Sequence, residues 1–104
     1  MTIAVFVATN IVMKIEFDQN KSDKNSAERN LPFARVVDFD WHTAVVAADI
    51  RNDYLEARYI AVGYLDNRLH VLCFTPVADV IRVISFRKAN KREADRYGKP
   101  LTID

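Results

Sequence analysis

The residues of this chain with the clearest chemical potential are arginines set at the edges of apolar runs. Arg58 opens the run Tyr59-Ile60-Ala61-Val62, Arg82 sits between Ile81 and Val83-Ile84, and Arg87 adjoins Lys88 just after Ser85-Phe86. A guanidinium group is a planar, permanently charged fork whose donors match two phosphate oxygens at once, and it stabilises charge developing around phosphorus. Arg58, Arg82 and Arg87 are therefore candidates for phosphodiester chemistry that needs no metal. The same arginines could instead pair with Asp49, Asp53 and Glu56 in a surface salt network of little energetic worth. Both readings stay open on the residues alone.

Arg82 carries a geometric condition. Its neighbours Ile81, Val83 and Ile84 are apolar, so its charge must emerge on an open sheet face or be paired. Arg82 and Arg87 are an odd number of residues apart, and a regular strand would aim them at opposite faces. They share a site only if the strand ends or bulges near Ser85. Beyond it, Lys88, Lys91, Arg92 and Arg96 follow a three-and-four spacing, which on a helix makes one basic stripe. Tyr97 adds a ring for base stacking or packing. Such a stripe tracks an RNA backbone, meets an acidic partner, or is simply solvated.

The formal net charge of +1 conceals this asymmetry: residues 82–99 hold seven Lys or Arg against Glu93 and Asp95, whereas residues 1–57 hold six against nine acidic residues. The basic end is a candidate polyanion surface.

Other chemistries find little support. His42 and His70 are isolated and show no metal-ligand spacing; there is no phosphate-cradling glycine loop, nucleophile elbow or dinucleotide fingerprint. No cofactor or metal is expected. Cys73, the single cysteine, lies in the apolar run Leu69–Phe74 and reads as a buried hydrophobe in a cytoplasmic protein. Residues 1–12 fit neither a secretory signal nor a membrane span; they read as a strand, or as a dispensable extension upstream of Met13.

The elements that must position these side chains fit one α+β domain, since 104 residues make one core rather than two. Met13–Phe17 reads as a first strand. Asp18 or Asn20 caps a polar helix to about Arg29, closed by Asn30 in the left-handed conformation. Pro32 starts a second helix, with Phe33, Val36 and Val37 on one face, ending near Asp40. A short strand Thr43–Ala48 and a polar connection Asp49–Ala57 follow. Arg58–Leu65 and Arg68–Thr75 flank a two-residue turn, Asp66-Asn67; after a loop containing Pro76 comes Val80–Phe86. Lys88–Tyr97 is the closing helix, stopped by Gly98 and Pro100. The expected fold is an antiparallel sheet with two N-terminal helices and one C-terminal helix: extension 1–12, domain 13–99, tail 100–104.

Three stretches carry a family likeness: Asp38-Phe39-Asp40-Trp41, the run Asp49 to Gly63, and above all Ile81-Arg82-Val83-Ile84-Ser85-Phe86-Arg87-Lys88-Ala89-Asn90-Lys91-Arg92-Glu93. Together they resemble the BrnT toxin family over residues 13–97, and the last resembles its R-I-I-S-x-R-K-A-x-x-R-E signature. Two departures stand out. Glu28-Arg29-Asn30 replaces the family's Lys-His-Gly, and Tyr54-Leu55-Glu56 replaces Tyr-Gly-Glu. The resemblance implies a RelE-like fold, metal-independent ribonuclease activity, and neutralisation by a BrnA-like ribbon-helix-helix antitoxin through which the toxin reaches operator DNA. It implies Arg58, Arg82, Arg87 and Ser85 as catalytic residues and Lys88, Lys91, Arg92 and Tyr97 as RNA contacts. The contrasting expectation is a non-catalytic toxin, serving only as an antitoxin-binding co-repressor module.

Overall fold

A computed structural model describes residues 2–8 and 11–104, with side chains described from Lys14 onward. The chain runs β1 (Thr2–Ala8), β2 (Ile11–Phe17), α1 (Gln19–Arg29), a 3-10 helix (Phe33–Asp38), β3 (Val45–Ala48), β4 (Tyr59–Leu65), β5 (Arg68–Val77), β6 (Val80–Lys88) and α2 (Lys91–Tyr97). The strands form one sheet in the order β1-β2-β6-β5-β4-β3. Strands β4 to β6 are the antiparallel meander that apolar runs and short turns predict, and β3 joins it antiparallel to β4 across a longer connection. The sheet is nevertheless mixed: β2 joins β6 in parallel, because the two helices carry the chain across before the meander begins.

Asp18 caps α1 by accepting from the N–H groups of Asn20 and Lys21, and Asn30 closes it with φ 54°. Because α1 is polar on nearly every face, hydrogen bonds rather than apolar area anchor it. Asn25 Nδ2 donates to the carbonyls of Leu31 and Phe86, and buried Ser22 Oγ accepts from Phe33 N–H. The second expected helix is a 3-10 segment with Pro32 just outside it. Six residues suffice to bury Phe33 and Val36, and Phe39 N–H already closes on the Val36 carbonyl.

The main core lies on this face of the sheet, where Ile15, Phe17, Leu72, Phe74, Ile81, Val83 and Phe86 meet the 3-10 helix. Edge-to-face contacts run from Phe86 through Phe39 and Trp41 to Phe74. Asp66 and Asn67 both adopt positive φ in the β4–β5 hairpin. The expected loop at Pro76 is instead strand: β5 runs on to Val77 and turns at Ala78-Asp79. Proline is tolerated there because β5 has outrun β4, whose pairing stops at Tyr59. The tail docks, with Leu69 N–H donating to the Leu101 carbonyl.

Gly63 lets the Phe39–Asp40 turn lie directly on β4; a Cβ there would fall 2.8 Å from Phe39 Cζ and 2.9 Å from Ala44 Cβ. Gly63→Ala is expected to destabilise the domain by about 1–3 kcal/mol, read as a lower midpoint in urea denaturation.

Candidate active site on the open face of the sheet

The face opposite the main core is organised by an irregularity in β6. Cys73 lies opposite Ser85, yet Phe74 lies opposite Val83, so Ile84 is an extra residue. Such a bulge resets the alternation of side chains. Val83 and Phe86 both enter the main core although three positions apart. Arg82, Ser85 and Arg87, opposite Thr75, Cys73 and Val71, all point the other way. Arg82 and Arg87 thus share a face, separated by four residues of β5, about 13 Å of strand.

Arg82 stands at one end of this face. Its Nε donates to Glu16 Oε1 at 2.7 Å, from the adjacent position on β2, and its Nη1 reaches Glu56 Oε2 at 3.5 Å. On the other side it pairs with Thr75. Continuing the β4–β5 register one residue past Tyr59 and Phe74 brings Arg58 beside Thr75. Glu16, Arg82 and Thr75 thus form a row across three strands, and Arg58, the residue just before β4, falls at its end if the register is extended. Thr75 is 2% exposed, and its Oγ1 and the Arg58 Nε are buried without a hydrogen-bond partner among the described residues. Buried polar atoms left unmatched cost about 1–3 kcal/mol each.

A polar knot ties together the connection between β3 and β4. The Asp49 side chain, fully enclosed, accepts from Arg51 Nε and Nη2 at 2.9 and 2.8 Å and from the Tyr54 hydroxyl at 3.1 Å. The Arg51 guanidinium holds the Asp49 carboxyl well below the usual carboxylate range. Tyr54 in turn lies against Arg58, whose guanidinium carbon is 4.2 Å from the ring centre. Of the carboxylates open to the candidate arginines in the sequence, only Glu56 meets one; Asp49 is taken by Arg51.

Arg87 is bound differently. Its Nη1 and Nη2 donate to the two carboxylate oxygens of Glu93 at 2.8 and 2.7 Å, and Glu93 also accepts from Asn90 N–H in a capping box that starts α2. The Arg87 fork, backed by that N–H, brings the Glu93 carboxyl down to about 2. Arg87 thus fastens α2 to the sheet.

The basic stripe expected on one helix is divided. α2 begins only at Lys91, because Asn90 is its cap; Lys88 ends β6 opposite His70, on the face of Arg29 and Arg68. Lys91 pairs with Asp95, Arg92 is exposed and has no ion pair among the described residues, and Arg96 lies 5.8 Å from the Tyr97 ring centre. His70 is buried, its Nδ1 2.7 Å from the Arg68 carbonyl, and burial lowers its pKa. Cys73 is buried, and burial pushes its thiol up. Among the described residues no three His, Cys, Asp or Glu side chains converge as metal ligands, and no helix is long and apolar enough to cross a membrane.

Sequence reasoning missed Glu16 and Thr75. Glu16 alternates with Ile15 and Phe17, which marked its face; its partner lies 66 positions away, visible only once β2 pairs with β6. Nothing local distinguished Thr75 from an ordinary strand threonine.

A family model described as "Ribonuclease toxin, BrnT, of type II toxin-antitoxin system" matches residues 17–93, from the end of β2 through the capping glutamate of α2. The chain belongs to the BrnT family. No curated protein matches it. Membership makes the chain a toxin of the ribonuclease class with RNA as its target and an antitoxin as its partner. The matched span includes Arg58, Thr75, Arg82, Ser85 and Arg87, but stops short of Glu16 and Tyr97.

Because Glu93 is depressed in the folded BrnT domain, its ion pair contributes stability above the unfolded carboxyl value of about 4.3. That contribution is lost as pH falls toward about 2. Glu93→Gln is expected to cost about 1–3 kcal/mol at pH 7, and the gap to wild type in denaturant titrations should close progressively below about pH 4.

Proposed function

We propose that the row Arg58–Thr75–Arg82, with Glu16 and Glu56, is the catalytic centre of a metal-independent ribonuclease on a RelE-like fold. One observation carries the reading: Arg82 is held between the carboxylates of Glu16 and Glu56, while neighbouring Thr75 and the Arg58 side chain keep buried polar atoms without partners among the described residues. The antiparallel strands β3–β6, with helices on one face and α2 at their end, support the RelE-like assignment.

Glu16 holds the Arg82 Nε rigidly, leaving the outer guanidinium edge toward solvent and Glu56. In the reaction the 2′-oxygen attacks the adjacent phosphorus, Glu56 takes the 2′-proton, and the P–O5′ bond breaks. The products are a 2′,3′-cyclic phosphate and a 5′-hydroxyl, the leaving oxygen taking its proton from water. Arg82 and Arg58 stabilise the charge gathering on the phosphoryl oxygens. Ser85 is the next polar side chain on this face, while Arg87 supports catalysis by fixing α2. Lys91 and Arg92 supply affinity for the backbone and Tyr97 a ring surface, whereas Lys88 lies on the opposite face, away from this row. The partner is a BrnA-like ribbon-helix-helix antitoxin that covers this basic end and carries the toxin to operator DNA; the toxin acts in the cytoplasm.

A second reading, a non-catalytic co-repressor module, draws on the closed state of two candidates: Glu93 fills the Arg87 fork, and Tyr54 lies against Arg58. Activity separates the two. Arg82→Ala is expected to lower kcat/KM on RNA by about 10²–10³-fold and Glu56→Gln by about 10²–10⁴-fold. Wild type should arrest bacterial growth and leave cyclic-phosphate ends. Absence of arrest, or arrest undiminished by Arg82→Ala, contradicts the catalytic reading and favours the module.

A further inference from the structure

Next to the catalytic row, the same sheet face sinks into a groove of about 460 Å³ between the β3–β4 connection and α2. The register builds its floor. Ile60 and Cys73 lie in the row of Ser85, and Val62 and Val71 in the row of Arg87. These side chains are apolar and short, and the seven-residue α2 covers only the far end, where Ala94 and Tyr97 pack on Val62, Tyr64 and Val71. Arg51, Arg87 and Arg96 stand at the rim with Tyr97 on the wall. The Ser85 hydroxyl is exposed at the groove and makes no hydrogen bond among the described residues.

We propose that this groove is a nucleobase subsite, receiving the base of a nucleotide flanking the scissile phosphate. The proposal rests on the catalytic reading of the Arg58–Thr75–Arg82 row. Ser85 follows Arg82 on this face by one row, two residues of β5, about 7 Å. A phosphate on Arg82 therefore carries its adjoining base over the Ile60–Cys73–Ser85 row without crossing another element. A base is flat and apolar on its faces and polar at its edge. The groove offers an apolar floor, a tyrosine ring at the wall and one uncommitted hydroxyl to read the edge. At its rim the Arg51–Asp49 and Arg87–Glu93 pairs are matched, and Arg96 supplies the charge left for a polyanionic strand. An acidic antitoxin segment is the rival occupant; a floor without cations, set one row from the phosphate-binding row, favours the base.

The test uses a short oligoribonucleotide with 2′-O-methyl groups, which binds without cleavage, and a set in which one base at a time is removed. Fluorescence anisotropy on the full chain should show about tenfold weaker binding when one base next to the scissile position is absent. In Ser85→Phe, which fills the groove from an exposed position, base-bearing and abasic strands should bind alike. Tyr97→Leu, which keeps apolar packing but removes the ring, should shrink the difference, and thermal melts of both variants confirm folding. Equal binding of all strands to wild type, no binding at all, or a base effect intact in folded Ser85→Phe would overturn the proposal. So would RNA binding indifferent to Ser85→Phe while the antitoxin complex is lost, which hands the groove to the protein partner. If base-dependent binding persists but unmodified RNA is never cleaved, the subsite stands and the catalytic reading falls.

Discussion

One extra residue in β6 governs where the functional side chains of this toxin point. Without Ile84 as a bulge, a strand that sends Ile81 and Val83 into the core would send Arg87 there too and expel Phe86. A guanidinium in the aromatic core would be uncompensated, and Phe86 would lose its contacts with Phe39 and His70. The bulge reconciles two demands on one strand: apolar continuity on the helix face, and Arg82, Ser85 and Arg87 together on the open face. The row, the groove and the attachment of α2 all depend on it.

Electrostatics then divides the arginines by what occupies their forks. Arg87 is bidentate to Glu93 and tied into a helix cap, so its donors are committed to structure. Arg51 is committed likewise to Asp49. Arg82 is fixed through Nε alone, its contact with Glu56 being longer, and Arg58 rests against a ring rather than a carboxylate. Charge left incompletely matched in this way is what a phosphate can complete. Val46 is exposed on the edge strand β3, and Ile50 and Leu55 are exposed in the connection that follows it.

Much of the frame was legible because it is local. The Asn30 cap, the choice of Asp18 or Asn20 at the start of α1, the Asp66-Asn67 turn and the meander follow from residue type and spacing; counting parity showed that Arg82 and Arg87 share a face only if the strand ends or bulges near Ser85. The 3-10 helix at Phe33 was not legible as such, since i, i+3 apolar spacing serves both helix types and tertiary contacts with Phe17 and Phe86 set its length. The start of α2 was placed three residues early, because the basic run does not reveal that Asn90 and Glu93 form its cap. The parallel β2–β6 pairing has no local signature. With it the Glu16–Arg82 contact was hidden, and so was the neighbourhood of Thr75.

The central claim is that RNA phosphate meets the Arg58–Thr75–Arg82 row on the face opposite the main core. NMR shift mapping of the isotope-labelled chain with an uncleavable oligoribonucleotide tests it most directly, reading backbone amides and arginine Nε–H signals together. The largest perturbations are predicted at Thr75, Arg82 and the Arg58 Nε–H, with smaller ones at Ser85. Shifts confined to Lys88, Arg29 and Arg68 on the helix face, or to Lys91 and Arg92 alone, would contradict it.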